Sequence, residues 1–306
     1  MTQEQLLKNL TVPKGKIDVV LDTDACNEID DQFAISYMLH SEEKLNVLGI
    51  CAAPFKNARS KSPADGMEKS YNEIVTLLKF DGKESFVDNV YKGSTEYLKD
   101  EKTPVISDAA KFMAKLADSY SSEKPLYIVA IGAITNVASA MLINPKMAEN
   151  TVIVWLGGHS LETPYGACEF NMVQDIAAAR VIMGCGVPFV QLPCQGVASC
   201  FTTTKPELEF WLRGKNKLCD YLIDSAIAEA ESYAKGKPWS RVIWDVTAVA
   251  WLLNDNSKFM LERLCPSPIP EYDKHYATNP NRHFIKYVYS IRRDALFEDL
   301  FNKLTK

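Results

Sequence analysis

Five carboxylates fall within ten residues, Asp22, Asp24, Glu28, Asp30 and Asp31, in the stretch VVLDTDACNEIDD. They follow an apolar run, and like charges that close repel unless something offsets them. A helix N-terminus is one remedy: Asp30 and Asp31 would each gain about 0.3–1 kcal/mol from the helix dipole. A hard cation is another, because calcium takes about six to eight oxygen ligands and neutralises crowded acids directly. Other chemistry has few residues to draw on. The four histidines, His40, His159, His275 and His283, are dispersed. The eight cysteines form no Cys-x-x-Cys pair and no zinc-spaced cluster, so they read as reduced thiols, mostly small core residues.

The elements that must position these acids are legible as apolar runs. Strands are expected at 17–22, 45–53, 126–131, 151–157 and 187–193, each beside a segment of helical spacing. An amphipathic helix is expected over 30–39, another over 66–80, and a helical excursion between about 204 and 255. The Pro-rich piece CPSPIPEY (265–272) reads as a surface loop before a last strand, FIKYVYSI, and a last helix, DALFEDLFNKL. Continuous apolarity within the strands means burial on both faces, the mark of a mostly parallel sheet with helices on each side. The expectation is one α/β domain spanning 1–306, with a Rossmann-like core. Ligands in such sheets bind at the carboxyl ends of the strands. The segments that should converge there are Asp22–Asp31, PFKN, IGAITN, GGHSLETPYGACEFN and CQGV.

Composition narrows the function. The chain has 306 residues, 47% hydrophobic, with a net charge of −5 and interspersed signs, so no basic face for nucleic acid is expected. The N-terminus lacks the apolar segment of a signal peptide, and the longest apolar runs, about nine residues, fall well short of the roughly 20 that span a bilayer. A cytoplasmic protein free of membrane is the expectation.

An apolar strand followed by Asp-x-Asp resembles the haloacid dehalogenase superfamily, but Cys26 stands where that motif has Thr, and the Asp30-Asp31 pair is no part of it. The stretch is closer to the DxDxxxDD signature of the inosine–uridine-type nucleoside hydrolases. IVAIGAITNVASAM, VWLGGHS with EFNMVQDIAAARVI, and WDVTAVAWLL resemble further segments of that family, in order. Three departures stand out. Two extra residues enlarge the turn between Asp24 and the Asp pair. The 54–74 loop is long. Trp244 precedes Asp245 where many members carry His.

The resemblance implies hydrolysis of the N-ribosidic bond of a nucleoside with bound Ca2+. It implies metal ligation by Asp24, Asp31, Asp245 and the Ile131 carbonyl, with Asp24 also taking the proton of the attacking water. Asp30, Glu169, Asn171 and, within a residue or two, Asn57 would hold the ribose. Trp244 either stacks on a purine or is a buried aromatic beside a ligand; His159 either donates a proton or is structural, and Tyr165 shares its loop. Thr135 and Asn136 are expected to cap and anchor a helix, Asp22 to brace the cluster through backbone N–H groups, and Asp175 to start a helix. A homodimer or homotetramer is implied as well. The alternatives are hydrolysis of another N-riboside, such as nicotinamide riboside or a modified nucleoside, and a ribose-binding protein without turnover.

Overall fold

The computed structural model describes residues 1–306. Eight strands form the central sheet: β1 Ile17–Thr23, β2 Leu45–Ala52, β3 Val90–Lys92, β4 Leu126–Ala130, β5 Thr151–Leu156, β6 Phe189–Leu192, β7 Met260–Pro266 and β8 Phe284–Ile291. Their spatial order is β3-β2-β1-β4-β5-β6-β8-β7, and only β7 runs antiparallel to its neighbour. The order reverses between β1 and β4, so the carboxyl ends of these two strands open the crevice in which such sheets bind ligands.

The apolar runs do what their continuity implies. Val19 and Leu21 of β1 enter a core of 56 buried residues on one face, while Val20 enters a core of 29 on the other. The larger core takes the segment expected as a helical excursion, which contains helices Lys205–Leu212, Lys217–Ala234 and Val246–Leu252. No helix is long and apolar enough to cross a membrane.

Three expectations need correction. The helix Asp30–Leu39 is not amphipathic: all ten residues are buried, because helices Pro63–Phe80, Val246–Leu252 and Arg293–Leu304 pack around it. Some of its polar side chains find partners inside, with Tyr37 donating to Asp299 and Gln32 Nε2 to Glu73. The second helix begins at Pro63 rather than Gly66, because the Ser62 hydroxyl accepts the Asp65 N–H and proline suits the first turn. The Pro-rich piece is not all loop, since Cys265 and Pro266 end β7. That strand is half exposed and carries Glu262 and Arg263, so no apolar run betrays it, and a terminal proline is tolerated at a sheet edge.

Gly66 marks where the long loop presses on this helix. A Cβ there would lie 2.0 Å from the Phe55 carbonyl oxygen. Gly66→Ala should therefore lower stability by about 2 kcal/mol through forced displacement of the 54–60 segment, read as a reduced urea midpoint at unchanged slope.

Candidate active site

The acids converge at the carboxyl end of β1. Asp24 follows the strand, the Asp24 carbonyl accepts the Asn27 N–H at 2.7 Å, and this turn delivers Asp30 and Asp31 to the first turn of helix Asp30–Leu39. Asp245 arrives at the head of helix Val246–Leu252. All four are buried, at 3% exposure or less. Oxygen atoms of Asp30, Asp31 and Asp245 lie within 4.8 Å of one another.

Burial pushes the Asp24 carboxyl well above the usual range, and the charges of Asp31, Asp30 and Glu28 push it further. Burial does the same to Asp30, followed by Glu28 and Asp31, with the Arg241 guanidinium opposing. Asp245 rises by burial and then by its three aspartate neighbours. Asp31 rises by burial too, held back by hydrogen bonds from the Thr23 hydroxyl and with Asp245.

Asp22 behaves differently. Its Oδ1 accepts from Asn136 Nδ2 at 2.8 Å, burial raises it to about 7, and it does not line the cleft. It is braced by a side chain rather than by backbone N–H groups. The Asp22–Asp24 pair therefore does not share one pocket, as a phosphotransfer Asp-x-Asp would. Neither Thr135 nor Asn136 caps its helix. Thr135 donates to Asp175, and Asn136 also donates to the Ala52 carbonyl and accepts the Ser94 N–H. Asp175 does start a helix, accepting the Ala178 N–H.

The cleft around the acids has a volume of about 190 Å³. Asp24, Asp30, Asp31, Ile131, His159, Glu169, Asn171, Trp244 and Asp245 all line it. Glu169 caps helix Phe170–Gln174: Oε1 accepts the Asn171 N–H, and Oε2 accepts those of Met172 and Gly158. Gly158 holds φ at +78°, and a Cβ there would meet the Tyr276 hydroxyl at 1.8 Å, so this turn requires glycine. Asn171 Nδ2 donates to the carbonyls of Ile131 and Leu156, each at 3.0 Å, which leaves the Ile131 carbonyl a second lone pair. His159 Nδ1 accepts the Gln195 N–H at 3.2 Å, and burial lowers the ring's proton affinity against the opposing Cys168 carbonyl. Trp244 is half-buried. Tyr165 lies edge-on to His159 but is 59% exposed and outside the cleft.

Asn57 is the one expected substrate contact that does not line the cleft. Its Nδ2 donates to Asn27 Oδ1 at 2.6 Å, so the longer turn interposes Asn27 between Asn57 and the cavity. Asn27, Glu28, Cys194 and Gln195 line the cleft as well. The first two are in the enlarged turn, and the others in the CQGV segment expected to converge. Arg241, which pairs with Glu28 and Glu229, gave no sequence signal.

The donor set fits a hard cation. Three buried carboxylates, Asp30, Asp31 and Asp245, lie within ligating reach of one another with a single guanidinium nearby. Asp24 is outside that group but feels its charge, and its Oδ2 is buried without a partner. All-oxygen coordination of that kind suits magnesium, calcium or manganese rather than zinc.

Residues 19–286 match the sequence profile of the inosine-uridine preferring nucleoside hydrolases. The chain belongs to that family. As a nucleoside hydrolase it shares its fold with a plant nucleoside hydrolase at TM-score 0.73 and 20% identity, over 96% of this chain and 99% of the other. A purine-preferring ribonucleoside hydrolase from Gardnerella vaginalis superposes at 0.72 with 19% identity, over 94% and 98%. An inosine-uridine preferring enzyme from Bacillus anthracis superposes at 0.68 with 14% identity, over 94% and 99%. No curated protein matches the sequence.

Proposed function

We propose that this enzyme hydrolyses purine ribonucleosides to ribose and free base with the help of calcium. The reading rests on one arrangement: buried, mutually repelling carboxylates with a partnerless Asp24 oxygen, facing the same cleft as Trp244. Asp24, Asp31, Asp245 and the Ile131 carbonyl would hold the ion. Asp30 is close enough to join them, but Arg241 already offsets part of its charge, so it is assigned to a ribose hydroxyl. Bound calcium would supply the positive charge that keeps the sugar diol and the attacking water together.

The protein's own groups do the rest. Asp24 accepts the water proton at its partnerless oxygen. Glu169 and Asn171, locked by backbone hydrogen bonds, orient the ribose so that water and anomeric carbon meet in a reactive geometry. Water adds to that carbon as the bond to the base nitrogen breaks, and the base leaves with a proton. With Nδ1 accepting from Gln195, His159 is a neutral ring that can hydrogen-bond the departing base through Nε2–H in place of the Cys168 carbonyl. The proton the base acquires is balanced by the one Asp24 takes from the attacking water. Trp244 provides a stacking face for it. The eight cysteines are all unpaired, which supports a reducing, cytoplasmic setting; a homodimer or homotetramer is proposed by analogy with the family.

Steady release of reducing sugar from inosine tests the reading. Tight binding of inosine without release would make the protein a binder instead. Trp244→Ala should cut kcat/KM for inosine by ~10–100-fold, the worth of one base–aromatic stack, and cut it less for uridine. Equal losses for both substrates would remove the stacking role and the purine preference with it.

A further inference from the structure

The two consecutive residues of the enlarged turn, Asn27 and Glu28, are the ends of a ring of polar contacts. The Arg59 N–H donates to Asn57 Oδ1 at 2.8 Å, which leaves Asn57 Nδ2 to donate to Asn27 Oδ1 at 2.6 Å. The Arg59 guanidinium meets Glu229 at 3.3 Å, Glu229 meets Arg241 at 3.2 Å, and Arg241 donates to Glu28 Oε2. The ring fixes polarity. Asn27 must turn its carbonyl oxygen to Asn57 and keep its Nδ2 donor for the cleft. Glu28 has one oxygen on Arg241, while its other oxygen has no partner within the chain. Both residues line the same cavity as Trp244.

We propose that Asn27 and Glu28 are specificity-determining residues that read the edge of the base and favour guanine; this rests on the nucleoside hydrolase reading above. A carboxylate only accepts, so it suits two N–H donors side by side, and an adjacent amide donor suits a carbonyl. Guanine presents that pattern, with one of N1–H and the 2-amino group on the free Glu28 oxygen, the other on the remaining lone pair of the oxygen that Arg241 holds, and O6 for Asn27. Hypoxanthine lacks the second donor, and adenine sets its N1 lone pair toward a carboxylate oxygen. Hydrogen bonds to a charged partner that the ring holds in place are the strong kind, and they discriminate because a mismatched base leaves them unpaired.

The test measures kcat/KM and Kd for guanosine, inosine and 1-methylguanosine with the wild-type protein and with Glu28→Gln. Guanosine should exceed inosine by about tenfold or more in both quantities, 1-methylguanosine should lose that advantage, and Glu28→Gln should bring guanosine to within about twofold of inosine. Guanosine and inosine treated alike by the wild type, or an advantage untouched by Glu28→Gln, overturns the proposal. The wild-type arm with 1-methylguanosine stands even if the variant misfolds. Guanosine-selective binding without ribose release would keep the Asn27–Glu28 assignment and sink the hydrolase reading instead.

Discussion

Asp24→Ala should lower kcat/KM for inosine by ~10³-fold or more, the range expected when a positioned general base is lost. The Asp24 carboxylate is closely enclosed. It lies beyond the end of β1, buried at 1% exposure, and a Cβ at Gly132 would stand 2.9 Å from its Oδ1, so the turn that follows β4 packs against it. Its other oxygen has no partner in the protein, which leaves it free for the water and cation of the proposed reaction. Asp24→Asn separates the two duties, because an amide oxygen still ligates but cannot take a proton. Calcium affinity, followed by calorimetry, should therefore fall less in Asp24→Asn than in Asp24→Ala, while turnover falls equally in both. Retention of more than a tenth of wild-type turnover in either variant would remove Asp24 from the role of base.

The acidic cluster was legible because charge density along the chain is visible without a fold, and because β1 is so plainly buried that its end had to be a crevice. The sheet was legible for the same reason: Val19, Val20 and Leu21 supply both cores in turn, so apolarity is unbroken. Contacts made at long range were hidden. Arg241 reaches Glu28 across 213 residues, and nothing near it in sequence distinguishes it from a surface cation. The two extra residues of the turn could be counted, but not the fact that Asn27 would take the place expected for Asn57. β7 escaped notice because an edge strand with one face in water needs no apolar run. The full burial of helix Asp30–Leu39 escaped as well, since the partners of Tyr37 and Gln32 come from distant segments.

Asp245→Asn should reverse the order of stability between calcium and chelator. In the metal-free wild type four buried acids repel one another, so a cost of folding is built into the site. Converting one acid to an isosteric amide relieves part of that repulsion. The metal-free variant should therefore be more stable than metal-free wild type, by about 1–2 kcal/mol. Saturating calcium acts in the opposite sense. At a hundredfold excess over Kd it stabilises the wild type by about 2.7 kcal/mol, whereas the variant, short of one anionic ligand, gains little. Thermal unfolding with and without chelator should show the two curves exchanging places, with midpoint shifts of a few degrees per kcal/mol. Turnover should vanish in the variant under both conditions, and in the wild type only under chelation, returning with added calcium. A variant less stable than wild type in chelator would mean that Asp245 is held by favourable contacts rather than restrained against repulsion. The acids would then be a structural cluster, since it is their mutual repulsion, relieved only by a cation, that makes them a site.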